Sequence, residues 1–128
     1  MAVPAKAPYN RTFYKGGGGM WSWILHRGSG LAVLGFLLIH ILDTSLVMFG
    51  PAAYNTVAKF YEGPVFRPLE VLLMFFVIYH AFNGLRVIVL DLWPRTSRYQ
   101  AVMTLAVTVI TAMLFIPSAF IMLRPLFV

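Results

Sequence analysis

An apolar stretch of the sequence, residues 68–93, contains side chains that can do chemistry. It is built mainly of Leu, Val, Ile, Phe and Met but includes His80, Arg86 and Asp91. Ionisable groups are costly in hydrocarbon and usually have a functional reason to be there. On a helix that turns about 100° per residue, Gly84 and Asp91 fall within roughly 40° of His80. One face therefore carries an imidazole, a gap without a side chain and a carboxylate, and the gap lets a flat ring lie against the helix.

A second polar stripe precedes it, within the apolar residues 21–49. His26 and His40 are fourteen residues apart, which brings them within about 40° of the same direction on a helix. Asp43 follows three residues after His40, where its carboxylate is predicted to accept a hydrogen bond from the ring. His40 therefore keeps two interpretations: a residue that hydrogen-bonds between helices, or a metal ligand.

Composition places both stripes in a membrane protein. Of the 128 residues, 60% are hydrophobic and 11% are charged, and the mean hydropathy is +0.81, so the chain is far more apolar than an average soluble domain. It has no cysteine, so any metal must be held by histidine or carboxylate. The net charge of +6 comes from cations scattered at segment ends, which favours contact with lipid headgroups over contact with nucleic acid.

The sequence predicts an all-α membrane protein with three transmembrane helices in an up-down-up arrangement. Tryptophans typical of membrane interfaces and Gly or Pro breakers mark the predicted helix ends. Residues 50–67 are expected to form a polar connection at the interface. The predicted helices are residues 21–49, 68–93 and 99–126, in an anchor domain of residues 21–128 that follows a cytoplasmic tail of residues 1–20 with a hinge at Gly16–Gly19.

The flanking cations also predict the orientation. More of them lie on the side of the N-terminus than on the opposite side, which favours a cytoplasmic N-terminus. Antiparallel packing of the first two helices would bring His26 and Arg27 to the level of residues 86–91. His80 lies eleven residues before Asp91, so we expect it roughly 16 Å deeper. The expected picture is a polar cluster near the cytoplasmic interface with an isolated histidine beneath it.

One chemistry that fits this arrangement is the binding of a haem between two histidines. Such a haem needs a deeply placed imidazole, a small neighbouring residue and surface cations for its propionates. His80 and Gly84 meet the first two needs. The cations come from His26, Arg27 and Arg86.

A second chemistry is the binding of a quinone. A quinone needs an apolar slot near the interface, hydrogen-bond donors and a proton source for its oxygens. Arg27, Ser29 and Asp91 are able to supply these groups. A lone intramembrane histidine is also often only a hydrogen-bonding residue, so the residues by themselves leave all three interpretations open.

Two motifs carry a resemblance to a known family. Residues 23–30, Trp-Ile-Leu-His-Arg-Gly-Ser-Gly, and residues 79–86, Tyr-His-Ala-Phe-Asn-Gly-Leu-Arg, are followed by Asp91. Together they resemble the signature stretches of the cytochrome b subunit of succinate dehydrogenase, the larger membrane-anchor chain of succinate:quinone oxidoreductase. The pair is specific, whereas either motif alone is weak, and the resemblance extends over the basic tail and all three helices.

The resemblance implies a role for each candidate site residue. His80 matches the family's axial ligand of haem b and would bind its iron, while the other axial ligand comes from a second small membrane-anchor subunit. His26 and Arg27 match the pair that lies by the haem propionates and the quinone pocket. The remaining residues expected in that region are Ser29, Arg86 and Asp91.

The resemblance also implies the function and the partners. Succinate is oxidised in a separate flavoprotein subunit, and electrons arrive through an iron–sulfur subunit docked on the cytoplasmic face. The chain would pass them to quinone in the membrane, as part of the respiratory chain and the tricarboxylic acid cycle. The expected location is a prokaryotic cell (inner) membrane, crossed several times, with no nucleic acid partner.

Two positions depart from the family pattern. Many relatives have a quinone-site serine three residues before the His-Arg pair, where this chain has Trp23, with Ser22 one step away. One step turns a helix by about 100°, so Ser22 is left out of the predicted pocket. Val87 stands where many relatives have a further histidine. Because some members of the wider superfamily carry two haems, a second haem held by His40 remains an alternative to a structural role for that residue.

The site residues and the family resemblance together leave three candidate functions. The first is the haem-bearing, quinone-binding anchor of succinate dehydrogenase, or the same anchor in a fumarate reductase, which catalyses the reverse reaction. The second is a haem-free membrane tether for a soluble enzyme. The third is a proton-coupled transporter that uses Asp43, Glu70 or Asp91, which is disfavoured because the sequence lacks an internal repeat.

Overall fold

The computed structural model describes residues 18–126, and these residues are almost entirely helical. Three of the helices are long and apolar enough to cross a membrane, which confirms the predicted all-α class with three spanning helices. No strand occurs in the described range. The helices are α1 (Gly18–Ser45), α2 (Pro51–Tyr61), α3 (Phe66–Leu92) and α4 (Gln100–Leu123), with 3₁₀ turns at Leu46–Phe49, Pro94–Tyr99 and Arg124–Leu126.

The middle spanning helix, α3, packs against both α1 and α4, whereas α1 and α4 touch each other much less. Between α3 and α4 the contact is apolar and aromatic: the rings of Phe75 and Phe115 meet edge to face at 5.3 Å, and Val71 and Val107 are buried. Most other large apolar side chains are exposed. Such apolar surfaces are stable in the hydrocarbon of a bilayer, because lipid tails are as apolar as the side chains themselves.

The first helix begins earlier than predicted, at Gly18 and not at residue 21. Gly18 and Gly19, which were assigned to a glycine hinge, therefore belong to the helix. The rest of the predicted N-terminal tail, residues 1–17, lies outside the described residues.

Most of the connection predicted at residues 50–67 is the helix α2, which the sequence analysis did not predict. Gly50 has a φ of +101°, a conformation that favours glycine, and it turns the chain sharply away from α1. Pro51 then occupies the first turn of α2, where its fixed φ suits a helix and its missing N–H costs nothing. The short helix folds back against the end of α1.

The later helix ends are close to the predicted ones. Trp93 leaves the helical conformation, with φ −128° and ψ 80°, because Pro94 disfavours a helical residue before it. A 3₁₀ turn leads into α4, which continues through Pro117. The final residues 124–126 form a further 3₁₀ turn, so the α-helix itself ends at Leu123.

Candidate functional site

A polar network joins α1 to α3 close to the end where α1 begins. Asn83, of which only 1% is exposed, accepts hydrogen bonds at Oδ1 from Ser22 Oγ and from Arg86 Nη1, each at 3.0 Å. The same Nη1 donates to Ser22 Oγ at 3.0 Å. The hydroxyl of Tyr79 donates to the backbone carbonyl of Ser22 at 3.3 Å. Ser22, Tyr79, Asn83 and Arg86, here called the Arg86 network, therefore hold the two helices in register.

The charge of Arg86 is not neutralised within this network. The residue is only 7% exposed, its hydrogen-bond partners are neutral, and its Nε is buried without a partner in the described part of the chain. No salt bridge involves it among residues 18–126. A guanidinium in a medium of low dielectric attracts an anionic group strongly. The Arg86 network would therefore stabilise an anion supplied from outside the chain.

The rings of His26 and His80 lie against each other next to this network. They are stacked face to face, with centroids 4.3 Å apart and planes 2° apart. His80 Nδ1 is 3.2 Å from the carbonyl oxygen of His26 and 3.3 Å from Ser29 Oγ. Ser29, which is fully buried, donates its own proton to the His26 carbonyl at 2.9 Å. We refer to His26, Ser29 and His80 as the histidine pair site.

These contacts favour one tautomer of the His80 ring. The carbonyl oxygen of His26 only accepts hydrogen bonds, and the Ser29 proton already points to it. The tautomer with the proton on Nδ1 suits this geometry, because Nδ1 then donates to the His26 carbonyl. In the neutral ring this leaves Nε2 with a free lone pair, and Nε2 has no hydrogen-bond partner among the described residues.

Two glycines make room for the two rings. A Cβ atom on Gly30 would lie 2.8 Å from Cε1 of His80, and a Cβ atom on Gly84 would lie 3.4 Å from Cε1 of His26. The gap at Gly84 exists as predicted, but the ring of His26 lies against it. The close approach to His80 is made possible by Gly30, on the opposite helix.

The predicted difference in depth between His26 and His80 is wrong. The two rings are in contact, so His80 is not isolated beneath the polar cluster but lies at the level of His26. The prediction assumed that α1 begins at the level where α3 ends. In the structure, the register is set by burying Arg86 against Ser22 and Asn83, because a buried charge without polar partners is far more costly than uneven helix ends.

Arg27 and Asp91 are not part of either cluster. Arg27 is exposed and its guanidinium lies over the ring of Trp23, 4.6 Å from the centroid. Asp91 is exposed, and among residues 18–126 it forms no salt bridge. Eleven residues separate Asp91 from His80, about 16 Å along α3. The structure thus brings together His26, Ser29 and His80, with Arg86 alongside, and leaves Arg27 and Asp91 at the surface.

His40 lies in a different part of the molecule. Its ring stacks on Phe36 at 5.3 Å and lines a cavity of about 720 Å³ between α1, α2 and α3. The predicted hydrogen bond to Asp43 is wrong, because Asp43 accepts from the hydroxyl of Tyr61 at 2.6 Å instead. That bond raises the pKa of Tyr61, since it stabilises the protonated phenol. The helix that carries Tyr61 was not predicted.

Three residues of the Arg86 network, Ser22, Tyr79 and Asn83, were absent from the predicted site. Asn83 and Arg86 fall within about 60° of one another and of Tyr79 on a helix, so a polar stripe beside the His80 stripe was visible in the sequence. Ser22 was set aside because of its one-residue displacement from the family position. Its contact with Arg86 depends on the register between two helices, which no single-helix pattern contains.

The described residues contain no group of three His, Asp or Glu side chains that would hold a metal ion alone. A haem iron held between two subunits needs only one histidine from each. The histidine pair site therefore fits a shared haem and does not fit a metal site enclosed within this chain.

The fold and the site together define a helical subunit embedded in a membrane, with a polar, histidine-bearing interface between its first two spanning helices. The sequence pattern of the family described as the succinate dehydrogenase/fumarate reductase transmembrane subunit matches residues 6–115, and the chain belongs to that family. This confirms the resemblance noted from the two motifs, and it identifies a membrane anchor of an enzyme complex and not a catalytic subunit.

Individual relatives agree with the family. The chain is 39% identical over 108 residues to the succinate dehydrogenase 2 membrane subunit of Mycobacterium tuberculosis, covering 84% of this chain and 79% of that protein. It is 35% identical over 75 residues to a succinate dehydrogenase hydrophobic membrane anchor subunit of Halobacterium salinarum, covering 58% of each chain. A protein with the same description from Archaeoglobus fulgidus is 33% identical over 70 residues, covering 55% of this chain and 60% of that one.

Proposed function

We propose that this chain is the haem b-binding anchor subunit of a succinate dehydrogenase and takes part in passing electrons from a docked iron–sulfur subunit to quinone. The observation that carries the proposal is the state of His80. Its Nδ1 lies 3.2 Å from the backbone carbonyl oxygen of His26, and its Nε2 has no hydrogen-bond partner among the described residues. Histidines that bind metals generally donate their second ring nitrogen to such an acceptor, which fixes the tautomer and the direction of the ring.

A second histidine for the haem iron would come from another membrane subunit. His26 is the nearest histidine of this chain, but a face-to-face stack at 4.3 Å points the nitrogens of both rings along their planes and not toward each other. The two rings are therefore unsuited to bind opposite sides of one iron atom. His26 instead supports the ligand, by its ring and by its carbonyl oxygen.

Two polar groups next to His80 suit the carboxylates of a haem. Arg86 carries a buried charge without a counter-ion in the described part of the chain, and Nδ1 of His26 is buried without a hydrogen-bond partner. Both groups gain from a neighbouring propionate, since unpaired buried polar atoms are costly. When bound, haem supplies a carrier for single electrons.

Quinone binding is assigned to residues nearer the surface. Arg27 is exposed, and its donors are free to reach a carbonyl oxygen of a quinone. Asp91, about 16 Å along α3 from His80, would serve as the proton source for the quinone. The hydroxyl of Ser29 is committed to the His26 carbonyl, so Ser29 positions His80 and does not donate to quinone.

The proposed complex contains a second small anchor subunit, an iron–sulfur subunit and a flavoprotein subunit, and lies in a prokaryotic cell membrane with the N-terminus of this chain in the cytoplasm. The same role in a fumarate reductase is the second candidate, because the family description includes both enzymes. A second haem held by His40, which lines the cavity between α1, α2 and α3, remains an alternative to a structural role for that residue.

The proposal is tested by measuring haem per complex. The intact membrane complex is purified with wild-type chain, His80→Ala or His40→Ala, and haem b is quantified as its pyridine derivative. We expect His80→Ala to lose the haem and His40→Ala to retain it. Full haem in His80→Ala would overturn the assignment, and a wild-type complex without haem would establish the tether alternative instead.

A further inference from the structure

A long cleft lies between α1, α3 and α4, and the histidine pair site is not part of it. Its volume is about 590 Å³, within the range of small-molecule sites. Neither His26 nor His80 lines it. Its walls include Trp21 and Leu25 of α1, Phe75 of α3, and Thr104, Thr111 and Phe115 of α4.

The walls of this cleft suit an apolar occupant, because most of their hydroxyl groups are already hydrogen-bonded within the chain. The hydroxyls of Thr104 and Thr108 donate to carbonyls of their own helix, at 2.8 and 2.9 Å. The hydroxyls of Ser22 and Tyr79 belong to the Arg86 network. Thr111 alone has a buried hydroxyl without a partner in the described part of the chain, and threonines in helices commonly satisfy such a hydroxyl at the carbonyl one turn earlier.

The length of the cleft matches one leaflet of a bilayer. On α4 its lining residues run from Thr104 to Ile116, twelve residues or about 18 Å along the helix. The hydrocarbon core of a bilayer is about 30 Å thick, so one leaflet accounts for about 15 Å. A single extended hydrocarbon chain therefore fits the cleft better than a compact ligand does.

The end of the cleft near the start of α1 is surrounded by interfacial and cationic residues. A Cβ atom on Gly19 would lie 3.5 Å from Nε2 of Gln100, so α1 and α4 begin at the same level. Trp21, 66% exposed, is at this level. The turn before Gln100 carries Arg95 and Arg98, both exposed, and neither forms a salt bridge within residues 18–126.

We propose that this cleft binds one acyl chain of an anionic phospholipid, whose phosphate is held by Arg95 and Arg98. The acyl chain fills the space between α1 and α4, and the two arginines select a negatively charged headgroup. Cations near a membrane surface attract anionic lipids, and an arginine fork suits a phosphate. The lipid then links α4 to the first helix, which it otherwise touches little.

The test measures lipid retention by the purified, delipidated complex. The complex is incubated with phosphatidylglycerol or phosphatidylcholine of identical acyl chains, and bound lipid is counted by native mass spectrometry. We expect phosphatidylglycerol to be retained at least fivefold better than phosphatidylcholine, because each arginine contributes about fivefold at the surface. The double variant Arg95→Gln/Arg98→Gln should lose this preference, and Arg124→Gln, at the opposite end, should keep it.

A second set of variants tests the cleft itself. Ala112→Phe should fill it and lower retention of both lipids by about tenfold or more, and Thr108→Phe at its exposed rim should act in the same direction if Ala112→Phe fails to assemble. Ala106→Phe, exposed on α4 outside the cleft, is the matched control. Thr111→Val should leave retention unchanged, because an acyl chain needs no hydrogen bond.

Three results would overturn the proposal. One is equal retention of the two lipids by the wild-type complex. Another is an Ala112→Phe variant that retains lipid as well as the Ala106→Phe control does. The third is loss of retention in Thr111→Val together with a co-purified isoprenoid quinone, which would assign the cleft to a ligand with a polar ring.

Discussion

At the scale of single residues, one backbone carbonyl determines what His80 can do. The His26 carbonyl oxygen receives both the Ser29 hydroxyl proton and the His80 Nδ1 proton. With the ring proton on Nδ1, this carbonyl holds the ring in one direction and leaves Nε2 available. Gly30 allows this approach because any side chain there would collide with the ring. The chemistry of His80 depends on three residues of the opposite helix.

Gly30→Ala tests this dependence. The new Cβ would lie 2.8 Å from Cε1 of His80, so the ring must move or the helices must separate, at a cost of about 1–3 kcal/mol. We expect less haem per complex and a lower melting temperature of the complex. Gly28→Ala is the matched control, because nothing lies within 4 Å of a Cβ at that position. Equal haem content and equal melting temperature in the two variants would contradict the account.

The sequence predicted which residues of the site share a face of one helix, but not which of them touch each other between α1 and α3. Helical spacing placed His80 with Gly84, and His26 with Gly30, on single faces. It did not show that His26 would lie against Gly84 and His80 against Gly30. That exchange depends on the register between α1 and α3, which the burial of Arg86 decides through Ser22 and Asn83.

At the scale of elements, α2 is the part of the fold that the sequence did not predict. It has eleven residues and a mixed composition, whereas the three spanning helices have long apolar runs that hydropathy detects at once. Its position depends on Gly50, on Pro51 and on tertiary contacts. The bond between Tyr61 and Asp43 and the aromatic contact between Tyr61 and Phe66 at 5.1 Å join it to both neighbouring helices.

Tyr61→Phe removes the hydrogen bond to Asp43 and keeps the ring. We expect α2 to open more often, so its backbone amides should exchange hydrogen several-fold faster than in the wild type, as measured by mass spectrometry on the purified complex. Tyr54→Phe is the control, since that residue is in the same helix and exposed. Unchanged exchange in Tyr61→Phe would show that other contacts alone hold α2.

At the scale of the whole molecule, the two interfaces of α3 differ in character. The side toward α4 is apolar and aromatic, and the side toward α1 contains both the Arg86 network and the histidine pair site. Polar side chains in a membrane mark places where function or a partner is expected. The proposed haem and the second anchor subunit therefore belong next to α1 and α3, with α4 on the far side of the bundle.

The orientation of the molecule is open to direct measurement, because the chain has no cysteine. Single cysteines are introduced as Glu62→Cys, between α2 and α3, and Ser97→Cys, between α3 and α4. With the N-terminus in the cytoplasm, a membrane-impermeant maleimide should label only Glu62→Cys on intact cells and both variants after lysis. Labelling of Ser97→Cys on intact cells, with Glu62→Cys protected, would reverse the proposed topology.

The central claim, that His80 binds the haem iron, is tested most directly by changing the ligand atom. The ferric complex is studied by near-infrared magnetic circular dichroism, which separates bis-histidine from histidine–methionine ligation. We predict bis-histidine ligation for the wild-type complex and histidine–methionine ligation for His80→Met, together with a higher reduction potential. His40→Met should resemble the wild type. Bis-histidine ligation that persists in His80→Met would contradict the account.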